Sequence, residues 1–239
     1  MRLLAVETST LTGAVALLEA GVVVAESRVS VAVTHGERLM AAIDGVLRAA
    51  RWDLADVQAF AVALGPGSFT GLRIGLSTVK GLAFATGKPM VGVPTLDALA
   101  WRLPYCAYPV CPVLDARKNE VYAALYRTLD GRLELLGAPR AVAPTTLAEE
   151  IRATVDGPVV FVGDGVGPFT RVLSEILGTR ACLAPADLRL PSAVTVGELG
   201  GWALDRGETA DPASLVPLYL RPSEAELARV RRDSAGRPN

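Results

Sequence analysis

The stretch that decides the fold is residues 57–71, VQAFAVALGPGSFTG, an apolar run that ends in a loop with three glycines. An apolar run bounded by glycine and proline is typical of a buried strand, and residues 71–84 after it carry apolar side chains suited to a helix. The second half of the chain repeats this pattern at residues 159–165, VVFVGDG, before another helical stretch. The sequence therefore predicts strand, glycine loop and helix twice.

The elements that precede the two loops repeat as well. Alternating apolar residues and turn signals predict three strands and a helix before the first loop, at residues 2–7, 13–18, 22–31 and about 36–50. The same order precedes the second loop, at residues 110–115, 120–126, 132–137 and 145–155. A duplicated α/β unit of this order builds the actin-like ATPase and sugar-kinase fold, in which two lobes each hold a mixed sheet flanked by helices. One irregular α/β sheet with coincidental turns is the alternative.

The repeat divides the chain into lobes. We predict a first lobe at residues 1–103, a second lobe at residues 104–222, and a basic tail at residues 223–239 that we expect to be disordered. Loops at equivalent positions of the two units should face each other, so we expect a cleft between the lobes.

Composition excludes several function classes. With 24 basic and 25 acidic residues the net charge is −1, so no global field attracts nucleic acid or anionic lipid. Three cysteines at no metal-ligand spacing favour a reduced, cytoplasmic compartment. The longest uncharged run, residues 57–72, contains three glycines and a proline, so we expect no membrane span. Glu7 interrupts the apolar stretch that begins at Leu3, so we expect no signal peptide.

His35 is the single histidine of the chain. A metal site built on two histidines is therefore excluded, and with it a metallopeptidase. Thr34 and Glu37 flank His35 in the pattern of a capping box, so we expect this stretch to start the first helix rather than to catalyse a reaction. No catalytic residue, metal or cofactor is predicted.

The loops supply candidate cleft residues. Backbone N–H groups at a helix N-terminus can hold an anion, and a carboxylate with hydroxyls after the first strand can serve a metal and a phosphate. The loop at 65–71 lacks the ending of a P-loop and Pro66 removes one donor, so a rigid turn is an equally good interpretation there and at the other loops. The candidates for a degenerate nucleotide cleft are Glu7, Thr8, Ser9, Gly65, Gly67, Ser68, Gly163, Asp164 and Gly165.

The helix after the first glycine loop is unusual. Gly71 and Gly75 lie four residues apart on one face, and each costs ~1 kcal/mol relative to alanine inside a helix. Apolar side chains are spread around the remaining faces. The helix is therefore either fully buried or shares a face with another chain.

Five segments resemble one protein family, in the same order along the chain. They are residues 7–10, 35–39, 65–75, 115–122 and 217–221, with the sequences ETST, HGERL, GPGSFTGLRIG, DARKNEVY and PLYLR. They are similar to the TsaB family, the bacterial dimerization subunits of the machinery that makes threonylcarbamoyladenosine beside the tRNA anticodon. Glu7 and Gly36 depart from the family's usual Asp and Ser.

The resemblance implies a non-catalytic paralogue of the catalytic subunit TsaD. TsaD holds its metal with the two histidines of a His-x-x-x-His motif, and this chain has a single histidine. It implies a scaffold that binds TsaD as a heterodimer, helps to recruit TsaE and tRNA through that complex, and forms a homodimer when alone. The family pairs through the two first-lobe helices, which places the partner interface at Leu39, Ile43, Gly71, Leu72, Arg73, Gly75, Leu76 and Val79. A small-molecule phosphotransferase that uses Glu7 and both glycine loops is the alternative.

Overall fold

The computed structural model of this chain describes residues 1–30 and 35–221. The first five-stranded sheet has the order β3-β2-β1-β4-β5. Its strands are β1 (Arg2–Glu7), β2 (Thr12–Glu19), β3 (Val22–Ser30), β4 (Ala59–Gly65) and β5 (Met90–Pro94). The meander β1–β3 is antiparallel, whereas β4 runs parallel to β1 and to β5. The helices that follow strands of this sheet are α1 (His35–Ala50), α2 (Phe69–Thr86) and α3 (Thr95–Ala100).

The second sheet repeats this arrangement with the order β8-β7-β6-β9-β10. Its strands are β6 (Val110–Arg117), β7 (Glu120–Leu129), β8 (Arg132–Val142), β9 (Val159–Val162) and β10 (Ala181–Leu183), and the helices that follow its strands are α4 (Pro144–Thr154), α5 (Val166–Leu177) and α6 (Ala193–Asp205). The predicted duplication is confirmed, and it extends to a fifth strand and a third helix in each unit.

Alternating side chains of the first sheet build two apolar layers. Leu4 and Phe60 face α1 and α2, while Leu3, Ala5 and Ala61 face α6. Because both faces are covered, β1 and β4 read as continuous apolar runs instead of alternating ones. The alanines let α6 approach closely, and a Cβ at Gly200 would lie 2.6 Å from Cβ of Ala61.

Helix α6 returns to pack on the first sheet. Residues 193–205 belong to the second lobe by sequence order, yet Val196 of α6 lies in the same core cluster as Leu3 and Ala5. The following segment also stays with the first lobe, since Ala210 N donates to Met90 O at 2.8 Å. The range of 104–222 for the second lobe stays a prediction, and within it both α6 and Ala210 contact the first lobe. The tail at 223–239 and the Thr34–Glu37 capping box lie outside the described side chains.

The predicted partner interface on α1 and α2 consists mostly of residues that are buried within the protomer. Its five apolar side chains are at most 4% exposed because they pack into the first-lobe core; they are Leu39, Ile43, Leu72, Leu76 and Val79. Gly71 and Gly75 are buried as well, and a Cβ at Gly75 would overlap Oγ1 of Thr8. The cost of Gly75 is thus explained inside the protomer. Arg73 alone among the eight residues is exposed.

In the part of the chain that the structure describes, every helix is too short or too polar to cross a membrane.

Candidate functional site

A cavity of about 520 Å³ lies between the two lobes. The first lobe contributes residues 9–11 after β1 and residues 67–70 before and within α2. The second lobe contributes residues 115–118, Tyr122, Asp164 and Pro168, and Tyr219 and Arg221 from the end of the described chain complete the lining. The predicted cleft between the lobes is therefore present.

Glu7 ends β1 beneath this cavity and is fully buried. Its Oε1 accepts a hydrogen bond from Ser9 N at 2.5 Å, whereas Oε2 is buried and has no hydrogen-bond partner among the described residues. Burial raises the pKa of Glu7 to about 7, and the nearby charge of Asp164 adds to this rise. A carboxyl in this setting is half protonated near neutral pH, unlike an exposed glutamate.

The glycine loop of residues 65–71 is tied to β1 by its own backbone. Ser68 N donates to Ser9 O at 2.6 Å, and Gly71 N donates to Oγ of Ser68, the N-cap of α2, at 3.3 Å. Gly67 is required because a Cβ there would overlap the Ser9 carbonyl. Two of the N–H groups that would face a bound phosphate are thus already used within the protein. The loop therefore packs closely against the segment that follows β1.

The second-lobe wall has a similar construction. Asp164 Oδ1 accepts a hydrogen bond from Asp115 N at 3.1 Å, and Gly165 N donates to Val113 O at 3.0 Å. Gly163 has φ +127°, and a Cβ on it would overlap the Val113 carbonyl. Burial raises the pKa of Asp164, with the charge of Asp115 as a further cause. This short loop fixes α5 against β6 and presents one carboxylate to the cavity.

A strap of residues 215–221 joins the two lobes across the mouth of the cleft. Leu218 N donates to Leu64 O at 2.8 Å, and the Tyr219 ring stacks on Phe69 at a centroid distance of 4.9 Å. Beyond this first-lobe contact, Arg221 Nη1 lies 2.8 Å from Oε2 of Glu120 in the second lobe. The strap therefore holds the lobes together by a ring stack on one side and an ion pair on the other.

Arg73 of α2 reinforces the strap. Its Nε donates to Tyr219 Oη at 3.1 Å, and its guanidinium carbon lies 3.9 Å from the centroid of the Phe69 ring. A residue predicted to contact a partner chain therefore makes its described contacts within its own chain.

The predicted cleft residues divide into two sets. Ser9, Gly67, Ser68 and Asp164 line the cavity. The others lie behind the lining and support it; they are Glu7, Thr8, Gly65, Gly163 and Gly165. Thr8, for example, donates from Oγ1 to Gly71 O at 2.8 Å and so fixes the start of α2. Among the described residues no group of three His, Cys, Asp or Glu side chains is placed to hold a metal ion.

Sequence reasoning did not assign a role to the strap. Residues 217–221 carry part of the family resemblance, but no spacing rule indicates that they return to the first lobe. The local signal is a Tyr and an Arg that follow Pro217, and it does not identify Phe69 or Glu120 as their partners.

The duplicated sheets with a cleft between them define a protein of the actin-like ATPase and sugar-kinase fold. A ROK hexokinase from Thermus thermophilus has this fold, with a TM-score of 0.50 and 13% identity, covering 87% of this chain and 100% of that one. At this identity the likeness concerns the fold alone.

Closer relatives show the family. A family model described as TsaD, tRNA N6-adenosine threonylcarbamoyltransferase, matches residues 23–229. The tRNA threonylcarbamoyladenosine biosynthesis protein TsaB of Bacillus subtilis is 33% identical over 95% of this chain and 96% of its own length, and that of Escherichia coli is 31% identical over 92% and 95%. A Pseudomonas aeruginosa structure described as similar to the peptidase YeaZ has a TM-score of 0.78 and 32% identity, covering 92% of this chain and 99% of that one. The chain belongs to the TsaB family.

Proposed function

We propose that this chain is a non-catalytic scaffold subunit in the threonylcarbamoyl modification of the adenosine beside the tRNA anticodon. It acts by binding TsaD as a heterodimer, and TsaE and tRNA join through that complex. The names of its relatives and the match to the TsaD family model support this proposal. The net charge of −1 agrees with tRNA contacts that depend on the assembled complex. We place the function in the cytoplasm, in keeping with the three free cysteines.

The observation that carries the non-catalytic assignment is the hydrogen bonding of the glycine loop at residues 65–71. The N–H groups of Ser68 and Gly71 donate to groups of the protein itself, so the loop offers fewer donors to a phosphate than a nucleotide-binding loop does. The single histidine of the sequence adds to this, since a two-histidine metal site cannot be assembled.

The outer face of α1 and α2 supports the pairing function. We define this outer helix face by Met40 and Gly45 on α1 and by Gly81 and Phe84 on α2. A Cβ at Gly45 or Gly81 would meet no atom within 4 Å, and Phe84 is 87% exposed. Each helical glycine costs ~1 kcal/mol relative to alanine, and no packing inside the protomer explains that cost here. Close approach of another helix does explain it.

We place the partner interface on this outer helix face instead of on the residues of α1 and α2 that the structure shows to be buried. A second copy of the chain would meet the same face across a twofold axis, and TsaD, as a paralogue, could take the place of that copy. We therefore propose a heterodimer with TsaD and a homodimer when TsaD is absent, both through the outer helix face.

The test compares two arginine variants at open helical glycines. Gly81→Arg should abolish co-purification with TsaD and self-association in sedimentation, because the side chain blocks close helix contact. Gly167→Arg places the same side chain at an equally open glycine of α5 and should behave as wild type. Circular dichroism establishes that both variants fold. Equal TsaD binding by the two folded variants would contradict the proposed surface.

Glu7 favours a second candidate, the small-molecule phosphotransferase. Its buried Oε2 has no described partner, and its carboxyl is close enough to Asp164 for their charges to interact. Calorimetry of the lone chain with ATP and magnesium separates the candidates. The scaffold proposal expects no tight binding and no turnover, and stoichiometric binding with turnover would replace it with the enzyme.

A further inference from the structure

A second cavity, of about 410 Å³, lies on the α6 side of the first lobe. It is formed by one face of α6, residues 101–105 after α3, and the turn between β2 and β3. None of its lining residues lines the cleft between the lobes. We call it the aromatic pocket and define it by Trp101, Tyr105, Glu198, Gly201, Trp202 and Asp205.

Three aromatic rings surround this pocket. Trp101 and Trp202 meet edge to face, with ring centroids 4.9 Å apart and an interplanar angle of 79°. Trp202 is 42% exposed and Tyr105 is 89% exposed. Large aromatic side chains that stay accessible around a cavity offer ring faces to a ligand.

The charged side chains that line the pocket are both acidic. Glu198 and Asp205 lie seven residues apart and therefore on one face of α6, and the lining contains no lysine or arginine. Trp101 Nε1 donates to Glu198 Oε2 at 3.0 Å, which fixes this carboxylate against the aromatic wall. Asp205 forms no ion pair among the described residues. The pocket therefore combines negative charge with the negative faces of aromatic rings.

Gly201 leaves the pocket open between the two carboxylates. The neighbouring glycines of α6 are needed for packing, since a Cβ at Gly197 would overlap Leu18 and one at Gly200 would crowd Ala61. A Cβ at Gly201 would instead meet no atom within 4 Å. Its cost of ~1 kcal/mol in a helix has no explanation in the packing of this chain. Space for an incoming group accounts for it.

We propose that the aromatic pocket binds the guanidinium group of an arginine side chain presented by a partner protein. A guanidinium is planar and weakly hydrated, stacks on aromatic rings and forms paired hydrogen bonds with carboxylates. Those are the groups that this pocket offers. The site is independent of the proposed scaffold function and of the outer helix face, because it uses different elements.

The test follows the indole N–H signals of the full chain by nuclear magnetic resonance. The chain has three tryptophans, and Trp52 lies outside the pocket beneath Arg2, so it serves as an internal reference. Titration with N-acetyl-arginine methylamide should shift the Trp101 and Trp202 signals to saturation and leave Trp52 unchanged. The citrulline analogue, which has the same shape without the charge, should bind at least tenfold more weakly.

Two variants test the assignment to this pocket. Gly201→Leu adds a side chain at a position where a Cβ meets no atom within 4 Å, and Glu198→Gln removes one charge, so each should raise the dissociation constant about tenfold or more. Gly167→Leu, at an open glycine of α5, is the matched control and should bind as wild type. Equal binding of the citrulline analogue, or unchanged binding by folded Gly201→Leu, would overturn the proposal. Preference for free arginine over the capped amide would overturn the protein source of the group.

Discussion

The two lobes have equivalent helix pairs with different outer faces. On α4 and α5 of the second lobe, Arg171 pairs with Glu175, and Glu150 pairs with Arg140 of β8. On α1 and α2 of the first lobe, Asp44 pairs with Arg48, and the exposed positions also include Met40 and Phe84. No large apolar side chain is exposed on α4 or α5, both of which the structure describes in full, so the first-lobe helix pair presents more apolar surface than the second-lobe pair, in keeping with the proposed pairing through α1 and α2.

The two lobes also differ at a carboxylate near the end of their first strand, Glu7 as the last residue of β1 and Asp115 two residues before the end of β6. In each lobe this carboxylate accepts a hydrogen bond from the N–H two residues later, from Ser9 to Glu7 at 2.5 Å and from Arg117 to Asp115 at 2.7 Å. Glu7 is fully buried, whereas the side chain of Asp115 is 31% exposed and lies 3.4 Å from Arg117. The same backbone hydrogen bond thus holds a buried proton-binding group in one lobe and a member of a surface ion pair in the other.

The largest expected effect separates the inner and outer faces of α2. Leu76→Glu buries a charge in the first-lobe core and should reduce the free energy of unfolding by at least ~4 kcal/mol, measured by urea unfolding. Phe84→Glu changes an exposed side chain of the same helix and should keep stability within about 0.5 kcal/mol of wild type. A stable Leu76→Glu chain would refute the buried assignment of this face.

The buried carboxyl of Glu7 should make the first lobe sensitive to pH. Its pKa is about 7 in the folded chain and 4.5 as the ordinary value, so the folded state binds more protons between these limits. The contribution of Glu7 to the free energy of unfolding is therefore fully present below pH 4.5, and this contribution of about 3 kcal/mol is lost as the pH rises through 7. The raised pKa of Asp164 acts in the same direction.

Glu7→Gln isolates this contribution. Urea unfolding at pH 4.5 and pH 8 should show a loss of stability in wild type that exceeds the loss in Glu7→Gln by about 3 kcal/mol. Parallel pH profiles of the two proteins would show that Glu7 does not titrate in this range.

The strap that joins the lobes should contribute a smaller amount. Tyr219→Ala removes the ring stack on Phe69 and the hydrogen bond from Arg73, which together should cost about 2 kcal/mol of stability. The control is Tyr108→Ala at an exposed tyrosine outside the strap, which should cost less than about 0.5 kcal/mol. Chemical unfolding measures both variants, and equal costs would mean that the strap contacts add nothing.

The smallest effect sharpens the contrast between the helix pairs. Gly81→Ala and Gly167→Ala should each stabilise the lone chain by up to about 1 kcal/mol in thermal unfolding, because both glycines lie in helices with open space around them. Only Gly81→Ala should weaken TsaD binding, measured by calorimetry. Equal effects of the two variants on binding would remove the distinction between the lobes.

The repeat was predictable from sequence because it rests on local signals. Apolar runs such as residues 57–64, bounded by glycine and proline, identify buried strands without knowledge of their partners. The same reasoning located Ser9, Ser68 and Asp164, since loops at equivalent positions of a repeat face each other. Hydrophobic pattern and turn chemistry were sufficient for this much.

The remaining features depend on contacts between distant residues. Gly75 and Gly81 are alike in sequence, yet Thr8 fills the space beside one and nothing fills the space beside the other. Helix periodicity alone does not say which stripe of an apolar helix faces its own sheet. The first-lobe contacts of the strap and of α6 were not predicted for the same reason, because neither local pattern records that the chain returns to the first lobe.

The position of α6 has a consequence for protein synthesis. Strands β1 to β5 leave the ribosome early, but the helix that covers Leu3, Ala5 and Ala61 is Ala193–Asp205, which follows β10 in the chain. The second sheet and its flanking helices α4 and α5 are complete before α6 has been translated. The lobe that is made first therefore cannot complete its core until α6 has been translated.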